Sequence, residues 1–234
     1  MLRACLFLLL FIPWTFFISF SAMISTFFDR SGRLYHCHAR VWSRISFRLA
    51  GIRLEVSGAE KVPVDTPVIF MCNHQGYFDI LALFLALPQR FSWIAKEELF
   101  KIPVFGHSMA RAGYVPLNRK GDGRRALKSM EAAAALIRNG KSVVIFPEGS
   151  RTFDGELLPF KKGGFLLAGM AGVPIVPVTI NGSMQVCPKT RLELHPGTIR
   201  VRIADPIATA GAAGKDRDRL LKEVRQTIDK GLER

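Results

Sequence analysis

Residues 73–80, NHQGYFDI, set a histidine and an aspartate five positions apart between two apolar runs, PVIFMC before and LALFLAL after. Histidine is the side chain whose unperturbed pKa lies nearest neutrality, and a neighbouring carboxylate fixes its tautomer and stabilises the protonated ring. His74 and Asp79 are therefore candidates for a general base and its orienting acid. The competing reading is a polar loop whose Asp79 caps the next helix, since five helical positions set two side chains well apart around the axis. Gly76 admits a turn that brings them together. A second cluster, FPEGSRT at residues 146–152, has Gly149 for close backbone approach and Arg151 for bidentate phosphate contact. Glu148 either pairs with that arginine or holds a substrate hydroxyl; the plainer alternative is a solvated loop with a local ion pair. In NRKGDGRR, Arg119 and Lys120 read as an anion site or as an exposed basic turn.

These clusters can act together only if one scaffold brings them to one edge. Beyond residue 51 the pattern alternates between short β-rich runs and longer helical ones. PVIFMC, FSWIA, YVPLN, SVVIF, PIVPVTI and IRVRI read as strands, and DILALFLALP, PVFGHSMARAG, RRALKSMEAAAALIRNG and GFLLAGMAG as helices between them. A charged amphipathic helix at residues 214–234 is expected to pack on the outside. Such alternation predicts an α/β fold with a largely parallel central sheet and flanking helices. Ligands in such sheets lie beyond the carboxyl ends of the strands. NHQGYFD, NRKGDGRR and FPEGSRT all occupy that position.

The chain has 234 residues, long enough for one sizeable domain with a small accessory segment. Lysine and arginine total 33 against 19 acids, a net charge of +14, which calls for anionic partners. A hydrophobic content of 49% points to a lipid surface and away from nucleic acid. The four cysteines, Cys5, Cys37, Cys72 and Cys187, form no C-x-x-C pair, which argues against a disulfide framework or a zinc cage. No charged side chain occurs in residues 4–28, and about 20 apolar residues suffice to cross a bilayer. A membrane anchor is expected there, kinked or dipping at Pro13; a signal peptide is the alternative. If the segment spans, Arg30, Arg33 and Arg40 outnumber Arg3, which sets the downstream domain in the cytoplasm. In residues 33–52, Arg40, Arg44 and Arg48 recur every fourth position beside Val41, Ile45 and Leu49, an amphipathic helix that lies at an anionic membrane surface or packs on the core as an ordinary surface helix. The expected organisation is residues 1–50 as anchor plus interfacial helix and residues 51–234 as the globular domain.

GDGRRA at residues 121–126 also satisfies G-x-G-x-x-A, with Glu148 downstream, as in a nicotinamide-binding fold. NRK separates that motif from its strand and the motif is not in the first βα unit, so an oxidoreductase is the weaker enzyme reading.

Taken in order, the clusters resemble the glycerolipid acyltransferases. NHQGYFD is similar to their H-x-x-x-x-D box, FPEGSRT to their F-P-E-G-x-R-S/T box, and YVPLNR and VPIVPVTI to two further blocks. The likeness runs from about residue 58 to residue 206, with Asn118 where many members have Asp, and is to bacterial members that act on 1-acyl-sn-glycerol-3-phosphate. It implies transfer of a fatty acyl group from acyl-CoA or acyl carrier protein to the sn-2 hydroxyl of lysophosphatidate, giving phosphatidate. His74 would be the base and Asp79 its partner, with Arg119, Glu148, Gly149 and Arg151 binding the acceptor, and Lys161 and Lys162 as lesser phosphate contacts. No cofactor or metal is expected. The partners are membrane lipids, lysophosphatidate and the acyl donor, not nucleic acid, and the location is the cytoplasmic face of a bacterial inner membrane. Other lyso-lipids, lyso-ornithine lipid among them, would use the same boxes. A non-catalytic binder of anionic lipid is the rival from another class.

Overall fold

A computed structural model describes residues 2–29, 31–102, 105–117, 123–188, 193–209 and 215–233. Seven strands form one sheet: β1 (Ile52–Ser57), β2 (Ile69–Cys72), β3 (Ser92–Lys96), β4 (Val115–Leu117), β5 (Val143–Ile145), β6 (Ile175–Asn181) and β7 (Gly197–Ile203). Their spatial order is β1-β7-β6-β2-β5-β3-β4. All neighbours are parallel except β6 and β7, so β1 and β7 run against the other five. The helices are α1 (Leu2–Phe28), α2 (Arg33–Ala50), α3 (Asp79–Ala86), α4 (Phe105–Arg111), α5 (Gly123–Arg138), α6 (Lys162–Ala171), α7 (Ser183–Val186) and α8 (Lys215–Gly231).

The central strands are apolar on both faces because both faces are covered. Successive side chains of β2 alternate between two cores. Phe70 and Cys72 join Phe7 of α1, Phe47 of α2 and Leu81, Leu83 and Phe84 of α3. Ile69 and Met71 join Ala134 and Ile137 of α5, Phe165 and Leu167 of α6 and Leu220, Val224 and Ile228 of α8. Phe70 is fully buried, and truncating such a side chain to alanine costs about 3–5 kcal/mol. The chain leaves β2 through α3 toward β3, but leaves β5 through α6 back toward β6, on the other face of the sheet. The carboxyl ends of β2 and β5 are therefore a topological switch point, where a crevice opens.

The first helix packs lengthwise on the protein. Ala4, Phe7, Ile18 and Ala22 are buried, while Leu9, Phe16, Phe20 and Phe28, on the other side, are 61–82% exposed. Hydrogen bonds from Arg3 Nη2 to Ala50 O (2.8 Å) and from Trp42 Nε1 to Thr15 Oγ1 (3.0 Å) tie α1 to α2. By length and composition α1 is the one helix among the described residues able to cross a membrane. On α2, His36, Ser43, Ser46, Phe47 and Ala50 face inward. Val41 and Leu49 join Arg44 and Arg48 on the exposed side, so its outer face is both basic and apolar.

Candidate active site

The loop after β2 is short and tightly held. Asn73, fully buried, donates from Nδ2 to Ile180 O (2.8 Å) and accepts at Oδ1 from Ile180 N (2.7 Å), extending the β2–β6 ladder by one side chain. His74 comes next, with its backbone N–H donated to Glu148 Oε1 (2.7 Å) and its carbonyl accepting from Thr152 N (3.0 Å). The loops after β2 and β5 are thus bolted together at His74.

Asp79 turns out not to cap its helix through its side chain. It is the first residue of α3, and the position before it is Phe78, which makes no side-chain cap bond. The carboxylate points back into the loop instead. Its Oδ2 accepts from His74 Nδ1 (2.7 Å), Gln75 N (2.7 Å) and Gly76 N (2.9 Å). The five-residue spacing works because residues 76–78 turn before the helix begins. Gly76 is needed there for space rather than for a left-handed φ: an added Cβ would lie 2.7 Å from Ser183 O. With Nδ1–H given to Asp79, Nε2 of His74 keeps its lone pair, and the ring, stacked on Phe146 at 4.0 Å, retains 16% exposure. A partly open imidazole on a wholly buried carboxylate is an arrangement for accepting a proton.

Glu148 is 3% exposed, and both of its carboxylate oxygens are taken up by backbone N–H groups. Among the described residues it pairs with no arginine. Oε1 accepts from His74 N and Oε2 from Leu158 N (2.8 Å), a brace between three backbone segments. Burial pushes its pKa up, opposed by those two N–H bonds and by His74. Arg225 of α8 holds the far end of the brace, donating to Leu158 O (2.7 Å) and Leu157 O (3.0 Å). Gly149 has φ 76 and donates to Phe146 O, so its N–H closes a turn. Any Cβ there would strain the turn and meet Lys161 Nζ at 2.7 Å.

Arg151 lies with its guanidinium 3.7 Å over the half-exposed Tyr77 ring, on the loop that carries His74. The fold therefore brings His74, Asp79, Glu148, Gly149 and Arg151 to one crevice. Arg119, with Asn118, Lys120, Gly121 and Asp122, lies outside the described residues. Of the two lysines, Lys162 is paired with Asp218 at 2.9 Å, while Lys161 is exposed beside Gly149.

A doubly covered sheet carries a histidine–carboxylate pair at its switch point, and the acyltransferase family model matches residues 53–181. The chain belongs to the acyltransferase family. Among its relatives, the chloroplastic 1-acyl-sn-glycerol-3-phosphate acyltransferase BAT2 of Brassica napus is 39% identical over 209 residues, which is 88% of this chain and 58% of that one. The alpha 1-acyl-sn-glycerol-3-phosphate acyltransferase of Mus musculus is 36% identical over 77% of this chain and 64% of its own. The chain thus spans less than two thirds of the length of either. The crystal structure of the 1-acyl-sn-glycerophosphate (LPA) acyltransferase PlsC from Thermotoga maritima superposes with a TM-score of 0.81 at 26% identity, covering 98% of this chain and 96% of that one.

Proposed function

We propose that the chain transfers a fatty acyl group from a thioester, acyl-CoA or acyl carrier protein, to the sn-2 hydroxyl of 1-acyl-glycerol 3-phosphate, giving phosphatidate. The observation that carries this reading is the 2.7 Å bond from His74 Nδ1 to the buried Asp79, at the mouth that also holds Arg151. An alcohol is a weak nucleophile at neutral pH. His74 Nε2 takes the hydroxyl proton as the oxygen attacks the thioester carbonyl, and Asp79 stabilises the imidazolium that forms. The new C–O bond closes as the C–S bond breaks, and the imidazolium proton passes to the leaving thiolate. Neither a covalent enzyme intermediate nor a cofactor is invoked.

Arg151 grips the acceptor phosphate, its guanidinium held flat by Tyr77. Arg119, which stands in a block similar to the family's, shares the same phosphate. Glu148 and Gly149 serve the acceptor by fixing the loop from which Arg151 projects. The exposed side of α1, about 40 Å long at 1.5 Å per residue, beds in one leaflet while its other side stays on the protein. Phe7 of α1 meets Phe78 of the catalytic loop at 5.9 Å, which keeps the mouth at the lipid boundary. The proposed location is the cytoplasmic face of a bacterial inner membrane, where activated acyl donors are made.

Assaying the purified chain in mixed micelles with a panel of lyso-acceptors and both donor types tests the substrate. Turnover greatest with lysophosphatidate is expected. Preference for a lyso-lipid without a phosphate monoester, or lipid binding with no turnover on any acceptor, would overturn the proposal.

A further inference from the structure

The sheet has a second polar end. Opposite His74, the segments leading into β2, β3, β4 and β5 and the start of α2 enclose a cavity of about 680 Å³. Three cations line it, Arg90, Arg111 and Lys141, against one carboxylate, Asp65. None of the three is neutralised there by an acid among the described residues. Arg90 donates to a carbonyl, Ser31 O, at 3.3 Å, and Arg111 lies 4.7 Å over the Phe27 ring of α1. Lys141 has no side-chain partner among the described residues, and burial pulls its pKa below the usual lysine value. The 8%-exposed His36 lines the same cavity, and its Nε2 has no hydrogen-bond partner among the described residues. Like charges gathered around a concave, partly dry space repel one another until an anion enters.

The surroundings indicate what kind of anion. An apolar groove of about 180 Å³ between α1 and α2, lined by Ile18, Ala22 and Trp42, shares Tyr35, Phe84 and Tyr114 with the cavity. Where α1 ends beside Arg111, Phe27 and Phe28 are 65% and 82% exposed. A phosphate and a hydrocarbon chain are thus offered adjoining compartments at the apolar rim of the molecule. We propose that the cavity binds the phosphate headgroup of an anionic glycerophospholipid, one of whose acyl chains enters the groove between α1 and α2. The site is separate from the catalytic crevice: the four residues of β2, at roughly 3.3 Å each, hold the two ends on the order of 13 Å apart. It rests on nothing in the acyl-transfer reading.

Native mass spectrometry of the full chain in non-ionic detergent tests this, with phosphatidylglycerol, phosphatidylcholine and glycerol 3-phosphate as probes. Wild type should retain one phosphatidylglycerol. Retention should weaken about tenfold or more in the double change Arg90→Gln with Lys141→Gln, as expected for lost charge-assisted hydrogen bonds. It should weaken likewise in Arg111→Gln, an exposed helical position where folding is least disturbed, and stay unchanged in Arg151→Ala at the catalytic mouth. Undiminished retention in both cavity variants, or loss in Arg151→Ala alone, overturns the assignment. Phosphatidylcholine held as tightly would remove the anionic requirement, and glycerol 3-phosphate held as tightly would remove the lipid.

Discussion

His74 and His36 stand at opposite ends of one run of ring contacts. From His74 it passes to Phe146 at 4.0 Å, to Trp93 at 5.7 Å, to Phe91 at 5.4 Å and to His36 at 5.2 Å. Both imidazoles are mostly enclosed and both touch aromatic rings, His74 face to face and His36 edge-on, yet among the described residues only His74 has an acid. His74 Nδ1 is bonded to the buried Asp79 carboxylate at 2.7 Å. A proton arriving at His36 meets no carboxylate among the described residues and two cations, Arg40 and Arg90, so that burial first and those charges second lower its pKa to about 4. Burial alone therefore keeps His36 a neutral packing residue, whereas a buried carboxylate on Nδ1 gives His74 the partner that a base would need. Sequence spacing separates the two cases only through the acid five positions after His74, where the residue five after His36 is Val41.

The sharpest break in that contrast is Asp79→Asn, which keeps the shape and removes the charge. It should lower kcat by about 10²–10⁴ with little change in the acceptor KM, measured by steady-state acylation; a wild-type kcat would make Asp79 a loop brace only. Next is the acid side of His36. Because the folded chain keeps that ring neutral, the unfolded chain binds the extra proton, and stability falls as pH drops from 6.5 through about 4. The loss from this one group is on the order of 3 kcal/mol. Urea unfolding at neutral pH and near pH 4 should show that increment in wild type and not in His36→Phe; equal losses in both would contradict it.

Smaller effects come from the supports. Gly76→Ala sets a methyl against Ser183 O and should cost about 1–3 kcal/mol of stability, with kcat falling as the His74–Asp79 bond is displaced. A thermal melt unchanged from wild type would show that the backbone gives way freely. Arg225→Ala should be mildest, about 1 kcal/mol, with a several-fold drop in kcat and partial rescue by Arg225→Lys. If kcat held while stability fell, Arg225 would be a fastener of α8 and not a positioning residue for the Glu148 brace.

The order of strands and helices from β2 onward was legible because their apolar runs are continuous and their helical periods regular. β1 was not, since IRLEVS buries only Ile52 fully and leaves an edge that alternates weakly. Nor was the reversed direction of β7, which local pattern does not encode. At the site, the H-x-x-x-x-D and F-P-E-G-x-R-S/T boxes were readable as letters, and the geometry supplied their employment. Glu148 reads in the sequence as a partner of Arg151 or of substrate, and nothing there announces the bonds its two oxygens accept from His74 N and Leu158 N. Asn73 and Arg225 gave no signal because their partners lie 107 and 67 residues away in the chain. A hydrogen bond across that distance leaves no period in the sequence; only the fold brings its ends together.

The central claim is that His74 is the base for a lipid hydroxyl. The direct measurement is phosphatidate formation by purified His74→Ala with saturating thioester donor and varied lysophosphatidate. A kcat lower by about 10²–10⁴ at an unchanged acceptor KM is the expected result, and transfer at the wild-type rate would contradict the account.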